Sequence, residues 1–231
     1  MQSTSTFTEK YLKKIPIGLI VLLLLFIGVL LLFVFIAHEV FEEKEEAMDT
    51  YVFDFLSAHV INPELTTFMK GITYFASARF LQVAYGLVAF IYVVRKNFKR
   101  VIELAVVGVG GFFINYVMKM SFHRLRPPNP LIDPLHNFSF PSGHATSAFI
   151  FYGLLVYLIW KTEIPKGYKY LAGCLLVLFS LLIGFSRVYL RVHYPSDVLA
   201  GFCIGFAWLL LAVSFMEQLK KKSGAELNNL P

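Results

Sequence analysis

From Ile15 to Ala37 the chain runs 23 residues without a formal charge. About 18 such residues suffice to cross the hydrocarbon core of a bilayer as a helix, which satisfies its own backbone hydrogen bonds there. The stretch exceeds the apolar part of a cleaved signal, about 7–15 residues, and no small-x-small site follows it cleanly. It reads as a retained first span. The rest of the chain fits the same solvent: 57% of its 231 residues are hydrophobic, against about 45–50% in soluble domains.

Five more apolar runs follow, at about 66–94, 101–119, 144–160, 169–186 and 197–216. The second carries Lys70 and Arg79 in its first half, which puts its apolar core at 80–94. The expected fold is therefore all-α, a six-transmembrane helix bundle. One domain spans 15–216, between a tail at 1–14 and a tail at 217–231. The basic residues orient it. Lys10, Lys13 and Lys14, then Arg95, Lys96, Lys99 and Arg100, then Lys161, Lys166 and Lys169, then Lys220, Lys221 and Lys222 all fall on one side of a six-span layout. Glu39, Glu42, Glu43, Glu45, Glu46 and Asp49 fall on the other. Loops rich in Lys and Arg stay in the cytoplasm, so both termini are expected there. The same pattern accounts for the net charge of +6 without nucleic-acid binding.

Between the first two spans, Met48, Tyr51, Val52, Phe55, Leu56 and His59 recur at helical spacing, with Glu45, Glu46, Asp49 and Asp54 on other faces. This predicts an amphipathic helix within 39–65, at the membrane interface or on the mouth of the bundle, where it could gate a lipid headgroup. Asn62-Pro63 marks a helix boundary. The prolines between Arg124 and Pro141 predict irregular backbone outside the bilayer core. Gly108, Gly110, Gly111, Gly201 and Gly205 allow close helix packing. Cys174 and Cys203 lie in spans and read as buried packing thiols rather than a disulfide. The tail from Ser223 to Pro231 is expected to fray.

Three short segments carry the chemistry, each at the outward end of an apolar run. Lys119 closes one run, and seven residues on comes Arg126-Pro127. An ammonium and a planar guanidinium are complementary binders of phosphate oxygens, although a lysine at a helix end also snorkels. His123 and Arg124, between them, read as rim residues. Pro141-Ser142-Gly143-His144 opens the next run. Ser142 is a natural N-cap, Gly143 leaves the backbone open, and a helix N-terminus offers free N–H groups to an anion beside His144. Ser186-Arg187 ends a run, and His193 and Asp197 follow four residues apart across the start of the last one. Pro195 suits a first helical turn. A carboxylate so placed can fix the tautomer of His193 and leave its other nitrogen free to attack. The same pair could cap a helix or form half of a metal site.

Taken together and in this order, the three segments resemble the type 2 phosphatidic acid phosphatase superfamily, whose signature is Lys-x6-Arg-Pro, Pro-Ser-Gly-His and Ser-Arg-x5-His-x3-Asp. The resemblance covers 119–197 by motif, without departure. It implies that His193 is a nucleophile forming a phosphohistidine and that Asp197 orients it. His144 would be the general acid and then the base toward water. Lys119, Arg126 and Arg187, helped by Ser142 and the Gly143 amide, would bind the phosphate. No metal and no cofactor is expected, since three cations can neutralise a phosphoryl group and no His and carboxylate cluster suits two metals.

The expected activity is hydrolysis of a lipid phosphate monoester or diphosphate at the outer membrane face. Undecaprenyl diphosphate, phosphatidylglycerophosphate, phosphatidic acid and lipid A phosphates are the substrate candidates, and the partners are the lipid and the bilayer. Two other classes share some features. A phosphate- or lipid-binding transporter also has polar helix ends and mid-helix glycines, but has no need of paired imidazoles. A vanadate-dependent peroxidase uses a similar pocket, but in a bulkier scaffold.

Overall fold

The structure, a computed structural model, describes residues 17–43 and 47–228, with side chains described as far as Gln218. The expected tail at 1–14 and the charges of Glu45 and Glu46 lie outside the described residues, as do the side chains of Lys220, Lys221 and Lys222. The described residues form eight helices and no strand. They are α1 (Ile17–Phe41), α2 (Ala47–His59), α3 (Pro63–Tyr74), α4 (Ala78–Val94), α5 (Phe98–Phe122), α6 (Gly143–Trp160), α7 (Lys166–Tyr189) and α8 (Pro195–Asn228).

Polar caps set most of the boundaries. Asn62 accepts from the Leu65 amide at 2.8 Å, with Pro63 as the first helical residue of α3. Ser77 accepts from Phe80, and Asn97 from Arg100. Each satisfies an N–H that the helix itself leaves without a partner. Helix α5 ends on His123 in the left-handed region, at φ 51°. The run expected as a single second span is instead two helices, α3 and α4, bent by 45° across Phe75–Ser77. The Ser77 cap starts a new helix there and leaves Lys70 and Arg79 on different elements. Five helices are long and apolar enough to cross a membrane, and a sixth crossing results if the bent pair is one span. Helix α8 continues to Asn228, through part of the segment expected to fray.

Helix α6 lies at the centre, packed against α5, α7 and α8, while α1 lies along α8 and α3 along α7. The α6–α8 contact depends on missing side chains. A Cβ on Gly201 would sit 2.7 Å from the Ser142 carbonyl oxygen, and one on Gly205 would sit 3.0 Å from that of Thr146. Backbone that close leaves no room for a larger residue. Thr146 then donates from Oγ1 to the Gly201 carbonyl at 3.1 Å. Helix α1 buries Phe33 and Ile36 against Phe140, Cys203 and Ile204 and exposes most of its other apolar residues. Cys203 is buried as expected, but Cys174 is exposed on α7. In lipid, an outward thiol displaces no favourable contact, because acyl chains are as apolar as a protein core.

Candidate active site

All three motif segments meet at one end of the bundle. Ser142 donates its backbone N–H to the Asp197 carbonyl at 2.9 Å, which joins the start of α6 to the start of α8. Ser139 donates its amide to the Arg124 carbonyl at 2.8 Å, folding the proline-rich loop back on itself. Ser142 caps α6 as expected, and its Oγ accepts from Ala145 at 3.4 Å. Asn115, one turn before Lys119 on α5, supports this corner. It donates to Thr146 Oγ1 at 3.1 Å, and its Oδ1 would lie 3.1 Å from any Cβ at residue 143.

His193 is 2% exposed and Asp197 is fully buried. Nδ1 of His193 lies 3.3 Å from Asp197 Oδ2, which also accepts the Tyr194 amide at 3.0 Å. The latter bond is the return half of a capping box on α8. A carboxylate only accepts, so the proton of the neutral ring belongs on Nδ1, and Nε2 presents a lone pair. Arg126 Nη1 donates to that lone pair at 3.1 Å. Burial, and then the charges of Arg126, Arg187 and Lys119, hold the His193 imidazole well below its ordinary value of 6.5, against a hydrogen bond to the Ser139 backbone. The ring is therefore neutral at physiological pH.

The three expected phosphate ligands are held by neutral groups. Lys119 Nζ donates to the carbonyls of Phe138 at 2.7 Å and Ser139 at 3.2 Å. Arg126 donates to the Asn137 backbone at 2.8 Å and side chain at 2.6 Å, and to the Val192 carbonyl. Burial pulls its guanidinium down to about 10, against an upward pull from Asp197, so it stays charged at neutral pH. Arg187, 3% exposed, donates to Thr73 Oγ1 of α3 at 2.6 Å, and its buried Nε has no hydrogen-bond partner. Among the described residues none of these three cations is ion-paired with a carboxylate. His144, partly exposed in the first turn of α6, shares their field: its neighbours are the cations Arg187, Arg126 and Lys119 and the His193 ring. Buried positive charge without a counter-ion costs several kcal/mol, so an anion bound among these three cations would offset that cost. No group of three His, Cys, Asp or Glu among the described residues could hold a metal ion.

A sequence model described as the PAP2 superfamily matches residues 83–221. The chain belongs to the PAP2 superfamily. It is 34% identical to phosphatidylglycerophosphatase B of Bacillus subtilis over 69% of this chain and 79% of the relative. It is 30% identical to undecaprenyl-diphosphatase BcrC of the same organism over 53% of this chain and 61% of the relative. The crystal structure of a transmembrane PAP2-type phosphatidylglycerolphosphate phosphatase from Bacillus subtilis superposes with a TM-score of 0.72. It shares 28% identity and covers 84% of this chain and 96% of the other. The chain is thus a multi-pass membrane protein and a phosphatase of the PAP2 class.

Two site residues of this PAP2 chain escaped the sequence reading. Arg124, expected at the rim, is buried; it donates from Nη1 to Asp197 Oδ1 at 2.7 Å and to Ser196 Oγ at 2.8 Å, and from Nη2 to Asp49 Oδ2 at 2.9 Å. Burial works to lower its pKa, but Asp197 and Asp49 outweigh it and the net shift is upward. Asp49, expected on an outward face of α2, is 3% exposed and accepts the amide and hydroxyl of Ser196 at the start of α8. No local spacing links residues 49, 124 and 197. The apolar spacing set Asp49 on another face, but it shares its buried face with Phe53 and Leu56, four and seven residues on, and that spacing was the signal available in the sequence. His123 does stay at the rim, exposed and edge-on to Phe138. Tyr194 lies under the Arg124 guanidinium, 3.9 Å from ring centroid to Cζ, and Arg191 lies over Phe53.

Proposed function

We propose that this chain hydrolyses a lipid phosphate monoester or diphosphate without a metal, through a phosphohistidine on His193, at the outward face of a six-span bundle. The supporting observation is the convergence of Lys119, Arg126 and Arg187, none paired with a carboxylate, about the unprotonated Nε2 of His193. In the reaction, phosphate oxygens replace the neutral partners of the three cations and draw Arg126 off Nε2. Ser142 and the Gly143 amide add donors at the start of α6. Nε2 attacks phosphorus, and the bond from phosphorus to the lipid oxygen breaks. His144 gives its proton to that oxygen. The ring, still protonated on Nδ1, gains positive charge, which Asp197 offsets. Water then attacks phosphorus, His144 takes its proton, and the phosphorus–nitrogen bond electrons return to Nε2. The cations supply the charge neutralisation that a loose phosphoryl-transfer state requires.

The six-span reading takes α3 and α4 as one bent crossing, which places both termini in the cytoplasm with the basic loops and the motif end outside. The relatives' names favour phosphatidylglycerophosphate and undecaprenyl diphosphate as the first substrates to try, with phosphatidic acid as a simpler monoester and lipid A phosphates, which another relative's name carries, as a fourth. The test is phosphate release from each lipid by detergent-purified protein in the presence of a chelator. Release that persists with chelator and falls at least about 1,000-fold in His193→Ala is the expected result. Full activity in that variant, or loss with chelator, would overturn the mechanism, and the preferred lipid names the substrate.

A further inference from the structure

The carboxylate that orients His193 is itself shared. Asp197 gives Oδ2 to the imidazole and Oδ1 to Arg124, and Arg124 gives its second nitrogen to Asp49. The three charged side chains are 0%, 8% and 3% exposed in that order. In so dry a setting charges act strongly on one another. An arginine bound to Asp197 alone would cancel the negative charge that the imidazole needs as it becomes cationic. Asp49 divides that positive charge, and the trio Asp49, Arg124 and Asp197 keeps one net negative charge beside His193. The geometry of the carboxylate is fixed by the same bonds. Tyr194 stacks beneath the guanidinium at 3.9 Å, and Ser196 Oγ accepts from it at 2.8 Å. Asp49 belongs to α2, which is far from Asp197 in sequence, and it reaches that carboxylate through Arg124 and Ser196. Its bond to the Ser196 amide also caps α8, the helix that carries Asp197.

We propose that Arg124 and Asp49 are positioning residues for the phosphoryl-transfer step, holding Asp197 against His193 while leaving it negative. Neither touches the phosphate, so both act on the rate of chemistry and not on lipid binding. The seating of α2 is thereby part of the catalytic geometry. This inference rests on the phosphohistidine reading above.

The test compares Arg124→Met, Arg124→Lys and Asp49→Asn with the full-length wild type in detergent, using phosphatidylglycerophosphate and undecaprenyl diphosphate as probes. Three quantities are measured: kcat, KM, and the rate of phosphoenzyme formation after alkaline quench. We expect kcat to fall about 100-fold in Arg124→Met and about tenfold in Asp49→Asn, the range found when groups that orient a functional side chain are removed. KM stays within about twofold, phosphoenzyme formation slows in step with kcat, and Arg124→Lys recovers part of the loss. Folded variants that keep wild-type kcat, or that lose only KM, overturn the inference. So does an Arg124→Lys as inactive as Arg124→Met, which marks a purely structural tie. Should Arg124→Met fail to fold, the near-isosteric Asp49→Asn decides alone by the same criteria. A wild type that forms no phosphoenzyme overturns the phosphohistidine reading itself. A wild type that forms it, with variants forming it as fast, overturns this inference and leaves that reading standing.

Discussion

The two ends of the α5–α8 bundle both carry charge, but they use it differently. At the end opposite the motifs, Lys169 donates at the surface to the carbonyls of Trp160 and Thr162, and two other cations lead toward acids. Arg100 pairs with Glu103 at 2.6 Å, Lys161 pairs with Glu217 at 3.1 Å, and Tyr157 joins the two pairs by donating to Glu217. The Lys161–Glu217 pair is 42% and 35% exposed, so water screens it and it contributes little. At the motif end Arg187 is almost fully buried, and Lys119, Arg126 and Arg187 meet carbonyls, an amide and a hydroxyl. One cation there, Arg124, does have acids, and it serves the imidazole and not the anion. The number of charges does not separate a binding site from a structural tie. What separates them is whether the protein has already neutralised the charge it buried.

The sharpest way to break this comparison is to remove a buried, unneutralised cation. Arg187→Met should lower kcat/KM by about 100-fold to 1,000-fold, the effect of losing one preorganised donor to a developing anion. Arg187→Lys should lose less, because it keeps the charge but not the fork that Thr73 orients. Phosphate release measured against lipid concentration checks both, and an Arg187→Met of normal kcat/KM would return the motif end to a structural role.

A second test uses pH. His193 binds its proton only well below 6.5 in the folded chain, but near 6.5 when unfolded. Stability from this group is therefore complete above pH 6.5 and lost as pH falls toward the folded value. The slope approaches about 1.4 kcal/mol per pH unit for one proton. Melting temperatures between pH 8 and 5 should fall on the acid side, and His193→Ala should fall less steeply. Equal slopes in the two proteins would count against a neutral buried imidazole.

The smallest effect belongs to the opposite end. Glu217→Gln should change stability by no more than about 1 kcal/mol and leave kcat within about twofold. A melting curve and the same phosphate assay measure both. A large loss of activity would show that the two ends are coupled.

Much of this molecule was legible in order along the chain. Apolar runs of spanning length located α1 and α5–α8, since a helix in lipid must satisfy its own backbone. Ser142 and Asn62 fixed helix starts by local capping, and the spacing of His193 and Asp197 fits one turn across the start of α8. The bend at Ser77 was harder, because an apolar run continues through a helix break and only the cap betrays it. What the chain by itself determined was local: which segments are helical, and which residues with phosphate chemistry stand at helix ends. What only the tertiary structure decided was partnership. Arg124 and Arg126 are the same residue type two positions apart, yet one faces Asp197 and Asp49 and the other faces His193 Nε2. That choice follows from how α2, α6 and α8 close on one another, and contacts between residues 49, 124 and 197 leave no trace in local spacing.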